Sequence, residues 1–450
     1  MQLDDIKKVY FVGAGGIGMS ALARYFINRG CVVCGYDKTT TNLTITLEHE
    51  GILMSYVDDH AALPASFRDK NDDTLIVYTP AIPKDSQILN YFKDNGFILK
   101  KRSEVLGIIS KGQFCIAVAG THGKTTTSCI IAHVLTHTGY RCTAFLGGIS
   151  TNYNSNFLIG DNNVVVVEAD EYDRSFLTLH PDISVITSMD ADHLDIYGDA
   201  AQLNESFELF AGQLKDGGKL FVKEELPLKG ITYSADLNSS LKATNIHIEN
   251  GNFVFDFEDG YTKIKDLSLS LPGKHNVENA VAAIGVALSL GIRAKLIKKA
   301  IASFTGVKRR FEYIVKSPEH IYIDDYAHHP EELRACFDAV RHLYPDKKLT
   351  VIFQPHLFTR TRDFADDFAK VLSTADDLLL LDIYPARELP LEGINSRMLL
   401  DKVSLTDKEI CSKDLVLECI KIKKPELLLT VGAGDIDTLI EPLKKLLTNA

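Results

Sequence analysis

The chain alternates short apolar runs with longer segments in which apolar residues recur at helical spacing. Runs such as residues 9–12, 74–78 and 114–118 have the length of buried strands. The unbroken valines at 164–167 are typical of a strand that is buried on both faces. Because strands that alternate with helices form parallel sheets covered by those helices, we predict an α/β protein.

The same alternation restarts twice along the chain, so we predict three consecutive domains at residues 1–104, 105–304 and 305–450. A chain of 450 residues is too long for one compact core, which agrees with this division. In the central unit, Asn250-Gly251 separates two alternating runs and predicts a hairpin over residues 246–257. Other predicted elements are a helix over 277–290, strands at 321–323, 349–353, 378–383 and 427–431, and helices over 330–343, over 363–372 and from Asp435.

The segment Ala-Gly-Thr-His-Gly-Lys-Thr-Thr-Thr at residues 119–127 follows an apolar run and opens a helical stretch. Gly120 and Gly123 allow the backbone to approach phosphate oxygens, Lys124 supplies a positive charge, and the hydroxyl of Thr125 can join a metal shell. The two glycines are closer together than in the general GxxxxGK[ST] loop, so a kinase-type loop is not matched. The segment predicts a loop that binds the phosphates of ATP.

A second glycine-rich turn lies near the start of the chain. Residues 13–18 read Gly-Ala-Gly-Gly-Ile-Gly, a match to G-x-G-x-x-G, and Asp37 ends the next apolar run. A dinucleotide site is the usual inference, but the same turn at a helix N-terminus can bind any nucleotide diphosphate. The motif alone leaves both interpretations open.

Two acidic clusters follow neighbouring apolar runs. Glu168-Ala169-Asp170-Glu171 comes after the valine run, and Asp190-Ala191-Asp192-His193 comes after the run at 183–187. Ligands of such sheets bind beyond the carboxyl ends of the strands, where the phosphate loop also ends. Oxygen and imidazole ligands there suit Mg²⁺ or Mn²⁺, and we predict Thr125, Glu168 and His193 as the inner shell.

Further polar groups lie between predicted strands and helices in the second half of the chain. They occupy residues 273–279, 308–312, 324–330 and 354–363. Asn276, in the first of them, has two interpretations of similar weight, a helix N-cap and a ligand contact. Repetition of the same arrangement favours a functional origin for the set.

The composition of the chain excludes some classes of binding partner. The formal net charge of −11 argues against sequence-independent binding of nucleic acid and leaves phosphate recognition to local basic residues. No apolar run approaches the length of a membrane span and no signal peptide is evident, so we expect a cytoplasmic protein without membrane insertion. Cys31 and Cys34 form a single C-x-x-C pair inside an apolar run, which favours buried thiols over a zinc site.

Taken in order, these motifs resemble the ATP-dependent muramyl ligases, the Mur family that builds the peptide stem of peptidoglycan. The resemblance covers all three units. It is carried by residues 13–20, 120–127, 168–176, 190–197, 273–279, 309–312, 324–330, 354–363 and 432–435. It implies a Rossmann-like domain for the UDP-substrate, a central P-loop-type ATPase domain and a C-terminal Rossmann-like domain for the amino acid.

The resemblance also implies roles for individual residues, with catalytic importance for Lys124, Glu168, His193 and His328. It implies ATP contacts at Gly120, Thr121, His122, Gly123, Lys124, Thr125, Thr126, Asn276, Asn279, Arg310 and Asp325. Implied contacts to the UDP-substrate are Gly13, Gly15, Gly16, Ile17, Gly18, Met19, Asp37, Gly148 and Asn152, and those to the amino acid are Tyr326, His328 and Arg360.

Within the family, the motifs are closest to the members that join L-alanine to UDP-N-acetylmuramate. The implied reaction phosphorylates the lactyl carboxylate with ATP, and the amine of L-alanine then attacks the acyl phosphate. His328 or His329 would accept the amine proton or orient the amine. No serine or cysteine nucleophile is needed.

Two positions depart from the family pattern. Several relatives carry a lysine modified by carbon dioxide about fifteen residues after the histidine that matches His193. This chain has Glu208 near that place, and its carboxylate would serve the same electrostatic purpose. The alanine-joining members commonly have arginine where this chain has Leu357. Arg360 or Arg362 would then bind the carboxylate of the amino acid.

Three other functions compete with this interpretation. A murein ligase that attaches a recovered tripeptide is the nearest, because Glu171-Tyr172-Asp173 resembles that enzyme slightly. A nicotinamide dehydrogenase would use Gly13–Gly18 but leave the phosphate loop without a role. A nucleotide-dependent switch would use the phosphate loop without forming an amide.

Overall fold

The computed structural model describes residues 3–190, 197–236, 238–386 and 388–448. The chain folds into two compact units, and each is described by itself. The first contains Met1–Ile246, Val254–Ser268 and Glu278–Thr305, and the second contains His247–Phe253, Leu269–Val277 and Gly306–Ala450. The predicted boundary near residue 104 stays a prediction.

An all-parallel sheet forms from the first hundred residues. Its strands are β1 (Lys8–Val12), β2 (Val32–Tyr36), β3 (Leu53–Ser55), β4 (Thr74–Tyr78) and β5 (Ile98–Lys101), in the order β3-β2-β1-β4-β5. The helices of this region are Ile17–Asn28, Asn42–His49, Gln87–Asp94 and Arg102–Gly112. The chain order reverses beside β1, so the glycine turn that follows β1 lies at the switch point of the sheet, where such sheets bind ligands.

A longer, mixed sheet follows. Its strands are β6 (Phe114–Ala119), β7 (Thr143–Ser150), β8 (Ser155–Leu158), β9 (Val164–Glu168), β10 (Ile183–Ile186), β11 (Lys219–Lys223), β12 (Ile231–Ser234), β13 (Leu241–Glu249), β14 (Asn252–Glu258) and β15 (Lys263–Leu269). The order is β15-β14-β13-β12-β11-β10-β6-β9-β7-β8, and β8 pairs antiparallel with β7. The helices are Lys124–His137, Ala200–Ala211, Lys274–Ser289 and Ala294–Ser303.

The middle of this sheet brings the predicted motifs to one edge. Strand β6 pairs in parallel with β9 on one side and with β10 on the other. The carboxyl ends of the three strands therefore carry the phosphate loop and the two acidic clusters side by side. The valines of β9 are buried on both faces, as their unbroken run predicts.

The C-terminal sheet is parallel except at one edge. Its strands are β16 (Glu312–Lys316), β17 (Ile321–Asp325), β18 (Leu349–Phe353), β19 (Asp377–Leu380), β20 (Lys408–Ile410) and β21 (Leu427–Val431), in the order β16-β17-β21-β18-β19-β20. Strand β16 pairs antiparallel with β17. The helices are Pro330–Leu343, Phe358–Asp363, Ala365–Leu372, Ser396–Lys402, Val416–Lys423 and Ile440–Thr448.

The α/β class and the hairpin at Asn250-Gly251 are confirmed. The helix predicted over 363–372 is present as Ala365–Leu372, and a separate short helix, Phe358–Asp363, precedes it because the backbone of Phe364 leaves the helical region at φ −115° and ψ 19°. The segment at Asp435 begins as a 3₁₀ turn and becomes α-helical only at Ile440. Asn276 is not an N-cap, because its helix already begins at Lys274.

Short 3₁₀ segments connect several elements. They are Leu3–Asp5, His60–Ala62, Ala65–Phe67, Tyr172–Thr178, Lys413–Leu415 and Asp435–Leu439. Within the described ranges, no helix is both long enough and apolar enough to cross a bilayer.

Candidate active site

The phosphate loop connects β6 to the helix Lys124–His137. Gly120 and Gly123 have φ values of +135° and +82°, a region that glycine adopts without strain. A Cβ atom on Gly120 would collide with the hydroxyl of Thr187, and one on Gly123 would lie 2.9 Å from Oδ1 of Asn279. The two glycines are therefore required by the backbone and by close neighbours, and Asn279 is placed beside the loop as the resemblance implies.

Lys124 is the charged centre of this loop. Its Nζ atom donates to the carbonyl oxygens of Gly120 at 2.6 Å and Thr121 at 3.2 Å, and to Oε1 of Glu171 at 2.9 Å. Burial alone would lower the pKa of Lys124, but the neighbouring carboxylates, with Glu171 first, raise it above its ordinary value. The ammonium group is therefore kept charged inside the protein.

Glu171 is a residue that the sequence analysis did not single out. It is 1% exposed, and its side chain faces Lys124. The acidic cluster at residues 168–171 was the only indication of this residue in the sequence, and its three carboxylates have different partners in the structure. Asp170 instead pairs with Arg102 at 3.1 Å, and Glu168 faces Thr125.

The oxygen ligands predicted for a metal ion lie together. The hydroxyl of Thr125 donates to Oε1 of Glu168 at 3.1 Å, and the backbone N–H of Gly147 donates to Oε2 at 3.0 Å. A Cβ atom on Gly147 would collide with this carboxylate, which explains the glycine. Hydroxyl and carboxylate oxygens suit Mg²⁺, which usually keeps several waters and binds substrate phosphates as well.

His193, the third predicted metal ligand, lies outside the described residues. Within the part of the chain that the structure describes, no group of three or more His, Cys, Asp or Glu side chains could hold a metal ion. The predicted metal donors among the described residues are therefore Thr125 and Glu168, and the contribution of His193 stays a prediction.

The second acidic cluster begins beside the same loop. The hydroxyl of Thr121 donates to the backbone oxygen of Asp190 at 2.8 Å, and Nε2 of His122 lies 3.6 Å from its carboxylate. The backbone N–H of His122 also donates to the hydroxyl of Ser188 at 2.6 Å. Backbone and side-chain contacts thus hold the segment after β10 against the phosphate loop.

The N-terminal glycine turn is braced by Asp37. The backbone N–H of Gly15 donates to Oδ2 of Asp37 at 2.8 Å, and Gly13 has a φ of +91°. The helix Ile17–Asn28 starts after Gly16 without a side-chain cap, so its first N–H groups suit the phosphates of a nucleotide.

Gly18 has a different reason to be glycine. A Cβ atom there would lie 2.7 Å from Nη1 of Arg102, the first residue of the helix Arg102–Gly112. Arg102 also binds Asp170 through Nη2. The guanidinium group therefore touches the glycine turn on one side and the acidic cluster after β9 on the other.

Gly148 and Asn152, the two residues predicted to contact the sugar-linked part of the substrate, lie in different surroundings. Gly148 lies in strand β7 next to Gly147, close to Glu168. The side-chain amide of Asn152 donates to the backbone oxygen of Ser303 at 2.8 Å and accepts from the N–H of Thr305 at 2.9 Å. The amide of Asn152 therefore ties the loop between β7 and β8 to the end of the first compact unit.

In the second unit, the two aspartates at the end of β17 organise the neighbouring loops. Asp324 accepts from Nε of Arg309 at 3.0 Å and from the hydroxyl of Thr430 at 2.6 Å. Asp325 accepts from the backbone N–H groups of Phe311 at 2.6 Å and Ala327 at 2.7 Å. Burial raises the pKa of both carboxyl groups to about 6, against the positive charge of the neighbouring arginines.

Tyr326 lies against both arginines of the Lys308–Arg310 segment. The guanidinium carbons of Arg309 and Arg310 are 5.2 and 5.1 Å from its ring centroid, within the range of cation–π contacts. Arg310 also lies 3.6 Å from Glu332. Asn276, in the same unit, donates its amide to the backbone oxygen of Pro272 at 2.6 Å.

The predicted amino-acid residues belong to an aromatic cluster. The ring of His328 packs against Tyr326 and His356, and His356 stacks on Tyr384. The buried Arg360 reaches Nδ1 of His356 at 3.5 Å. Neither His356 nor Tyr384 was predicted as a ligand from the sequence, and Tyr384 could not be, because it follows a different strand and only the fold brings it to the cluster.

The two adjacent histidines have distinct environments. Nδ1 of His328 faces two acceptors, the backbone oxygen of Tyr326 at 2.9 Å and the carboxylate of Glu332 at 3.2 Å. Nδ1 therefore carries a hydrogen, so Nε2 is the ring nitrogen that can accept a proton. Nδ1 of His329 accepts from the N–H of Glu331 and caps the helix Pro330–Leu343. This difference favours His328 over His329 as the group that faces the amine.

The structure also shows the surroundings of the positions that depart from the family pattern. Leu357 is 6% exposed and has a φ of +69°. Arg362 is exposed and pairs with Asp363, whereas Arg360 is buried, so only Arg360 suits an enclosed carboxylate site. Glu208 is exposed on its helix, which argues against its replacing a modified lysine in a buried site.

A few implied contacts come from positions whose side chains are buried. Met19 and Thr126 lie inside their helices at 2% and 7% exposure, so any contact with a nucleotide would use the backbone. Cys34 is buried, and the structure pairs none of the cysteines that it describes in a disulfide.

Fold and site together are those of an α/β protein with a glycine-rich phosphate loop and a second glycine turn at the start of another helix. Family models match the chain at residues 8–114 (Mur ligase family, catalytic domain), 118–287 (Mur ligase middle domain) and 309–434 (Mur ligase, glutamate ligase domain). The chain belongs to the Mur ligase family.

Individual relatives show which members of the family this chain is similar to. The chain is 53% identical over 445 residues to the UDP-N-acetylmuramate–L-alanine ligase of Flavobacterium psychrophilum, covering 99% of both chains. It is similar to the crystal structure of the UDP-N-acetylmuramate–alanine ligase of Thermotoga maritima, with a TM-score of 0.83, 28% identity and coverage of 98% of this chain and 100% of the other. A murein peptide ligase from Psychrobacter arcticus shares the fold, with a TM-score of 0.71, 22% identity and 99% coverage of both chains.

Proposed function

We propose that this protein joins L-alanine to UDP-N-acetylmuramate in the cytoplasm, using ATP and forming ADP and phosphate. The observation that carries the proposal is the whole-length identity of 53% to a relative of that name. The phosphate loop, with Lys124 charged and Thr125 beside Glu168, supports the use of ATP. The uncapped helix after the Gly13–Gly18 turn supports binding of a nucleotide diphosphate, and the name of the 53% identical relative favours UDP over a nicotinamide dinucleotide.

The first chemical step suits the residues around the phosphate loop. An oxygen of the lactyl carboxylate attacks the γ-phosphorus, the bond to the β-phosphate oxygen breaks, and ADP leaves with an acyl phosphate formed. Two anions must approach each other, so the ammonium group of Lys124 lowers the barrier by neutralising charge. Mg²⁺, which Thr125 and Glu168 would hold, supplies further positive charge at the phosphates when it is bound.

The second step forms the amide. The neutral amine of L-alanine attacks the acyl carbon, the carbon–oxygen bond to phosphate breaks, and the amine loses a proton. The lone pair on Nε2 of His328 suits acceptance of that proton, while Arg360 suits the carboxylate of the amino acid. Positioning of the two reactants accounts for much of the rate enhancement in this kind of reaction.

The murein tripeptide ligase is the second candidate, and the relatives do not favour it. The likeness to the murein peptide ligase at 22% identity supports the common fold only. A nicotinamide dehydrogenase would leave the Thr125–Glu168 oxygen pair without a role. A nucleotide switch would leave the aromatic cluster around His328 without one.

The test is an acceptor assay. Purified protein is given ATP, Mg²⁺ and UDP-N-acetylmuramate, and phosphate release is compared for L-alanine, glycine, L-serine and the tripeptide. We expect L-alanine to give the highest kcat/KM, and preference for the tripeptide would overturn the assignment. With ¹⁸O in the lactyl carboxylate, one label should appear in the released phosphate, and unlabelled phosphate would exclude the acyl phosphate.

A further inference from the structure

The ammonium group of Lys124 has three hydrogen atoms and three protein acceptors. Two acceptors are neutral carbonyl oxygens of its own loop, at Gly120 and Thr121, and the third is the carboxylate of Glu171. A triphosphate that binds to Lys124 must therefore replace some of these contacts. The three acceptors differ in how readily they can be given up.

Glu171 is the acceptor that is hardest to release. It is 1% exposed and 2.8 Å from Nζ of Lys124 through its nearer oxygen. A buried carboxylate that loses its cation is strongly disfavoured, whereas a loop carbonyl that loses one hydrogen bond is far less so. Arriving phosphate oxygens should therefore displace the carbonyls of Gly120 and Thr121 and leave Glu171 in place.

The surrounding backbone fixes the position of this carboxylate. The backbone oxygen of Glu171 accepts from the hydroxyl of the buried Tyr197 and from the N–H of Arg174. Asp173 and Arg174 both have a φ of +54°, a conformation that non-glycine residues seldom adopt and that is frequent at functional sites. The chain thus bends sharply just after Glu171 and holds it from both sides.

We propose that Glu171 is a positioning residue for phosphoryl transfer. It fixes one N–H group of Lys124 and directs the other two from the loop carbonyls to the triphosphate. The inference rests on the proposed use of ATP at this loop. The alternative is that Glu171 only compensates the charge of the buried ammonium group of Lys124 and has no effect on catalysis once the nucleotide is bound.

The two readings differ in kinetics. We expect Glu171→Gln, which keeps the size and removes the charge, to lower kcat about 10-fold to 100-fold, the range for loss of one charge-assisted hydrogen bond. The KM for UDP-N-acetylmuramate should change less than about twofold, because that substrate binds through other residues. Glu171→Asp should recover part of the lost kcat, since it restores the charge at a shorter reach.

A double-mutant cycle with Lys124→Met gives a readout that does not need turnover. Binding of ADP is measured by calorimetry for the wild type, both single variants and the double variant. Because Glu171 acts through Lys124, Glu171→Gln should weaken ADP binding in the wild type and change it by less than about twofold in the Lys124→Met background. Glu426→Gln, at an exposed residue that pairs with Lys347 at 3.3 Å, is the matched control and should bind and turn over like the wild type.

Either of two results would overturn the inference. One is a Glu171→Gln variant with wild-type kcat, and the other is an effect on ADP binding that is the same with and without Lys124. If the wild type binds ADP but releases no phosphate with any acceptor, the proposed function fails while the cycle still tests the role of Glu171.

Discussion

His133 is buried in the helix that follows the phosphate loop, and its ring holds three elements together. Nδ1 lies 3.0 Å from the hydroxyl of Tyr153, and Nε2 lies 3.0 Å from both the backbone oxygen of Ala300 and the hydroxyl of Ser303. The residue is 3% exposed. Burial lowers the pKa of His133 from 6.5 to about 4, so the folded protein keeps this ring neutral.

The shift makes stability depend on pH with a definite sign. Below pH 6.5 the unfolded chain takes up a proton on His133 that the folded chain does not bind until about pH 4. The stabilising contribution is therefore complete above pH 6.5 and is lost as the pH falls. At about 1.4 kcal/mol per pH unit, the full loss is about 3 kcal/mol, and about 2 kcal/mol of it is lost by pH 5.

The perturbation that isolates this contribution is His133→Gln, because glutamine donates and accepts hydrogen bonds but does not titrate. At pH 8 the variant should be less stable than the wild type, since its amide cannot match all three contacts. Between pH 8 and pH 5 the difference should shrink by about 2 kcal/mol, which corresponds to about 2 °C in Tm for a chain of 450 residues.

The assay is thermal unfolding followed by circular dichroism at several pH values, for the wild type, His133→Gln and a control. The control is His60→Gln, whose ring is exposed and stacks on Tyr91. It gains little burial on folding, and its Tm curve should run parallel to that of the wild type. A constant difference between His133→Gln and the wild type from pH 8 to pH 5 would refute the reasoning.

The remaining predictions concern the active site. Lys124→Ala should abolish phosphate release while calorimetry still detects binding of the UDP-sugar, and equal loss of both would contradict separate nucleotide sites. Gly147→Ala should lower kcat/KM by about 100-fold or more because its methyl group would displace the carboxylate of Glu168, whereas Gly112→Ala, which meets no atom within 4 Å, should behave as wild type. Leu357→Arg should lower the KM for L-alanine by supplying a second guanidinium group, and an unchanged KM would exclude that role.

Local patterns in the sequence were sufficient for the fold class and for the phosphate loop. Strand runs and glycine positions depend on neighbours along the chain, so Gly120, Gly123 and Lys124 could be recognised without a structure. The parallel order of the sheets then placed Glu168 and Asp190 beside the loop. Local chemistry and general rules of topology carried these inferences.

Contacts between distant segments could not be predicted in this way. Glu171 pairs with Lys124 and Arg102 reaches Gly18 only because separate strands end near each other. Nothing in the acidic cluster after β9 shows which carboxylate takes the lysine and which takes the arginine. The short helix Phe358–Asp363 was also missed, because its mostly polar residues show no apolar spacing of helical period.

The contact between Arg102 and Gly18 limits how the family can be recombined. Gly18, the last glycine of the turn, leaves room for a guanidinium group that belongs to a later helix, so the turn and that helix must be compatible with each other. A chimera whose crossover lies between Gly18 and Arg102 would take these two residues from different parents. A crossover before Gly18 or after Gly112 takes both from one parent, so such chimeras are expected to keep this contact.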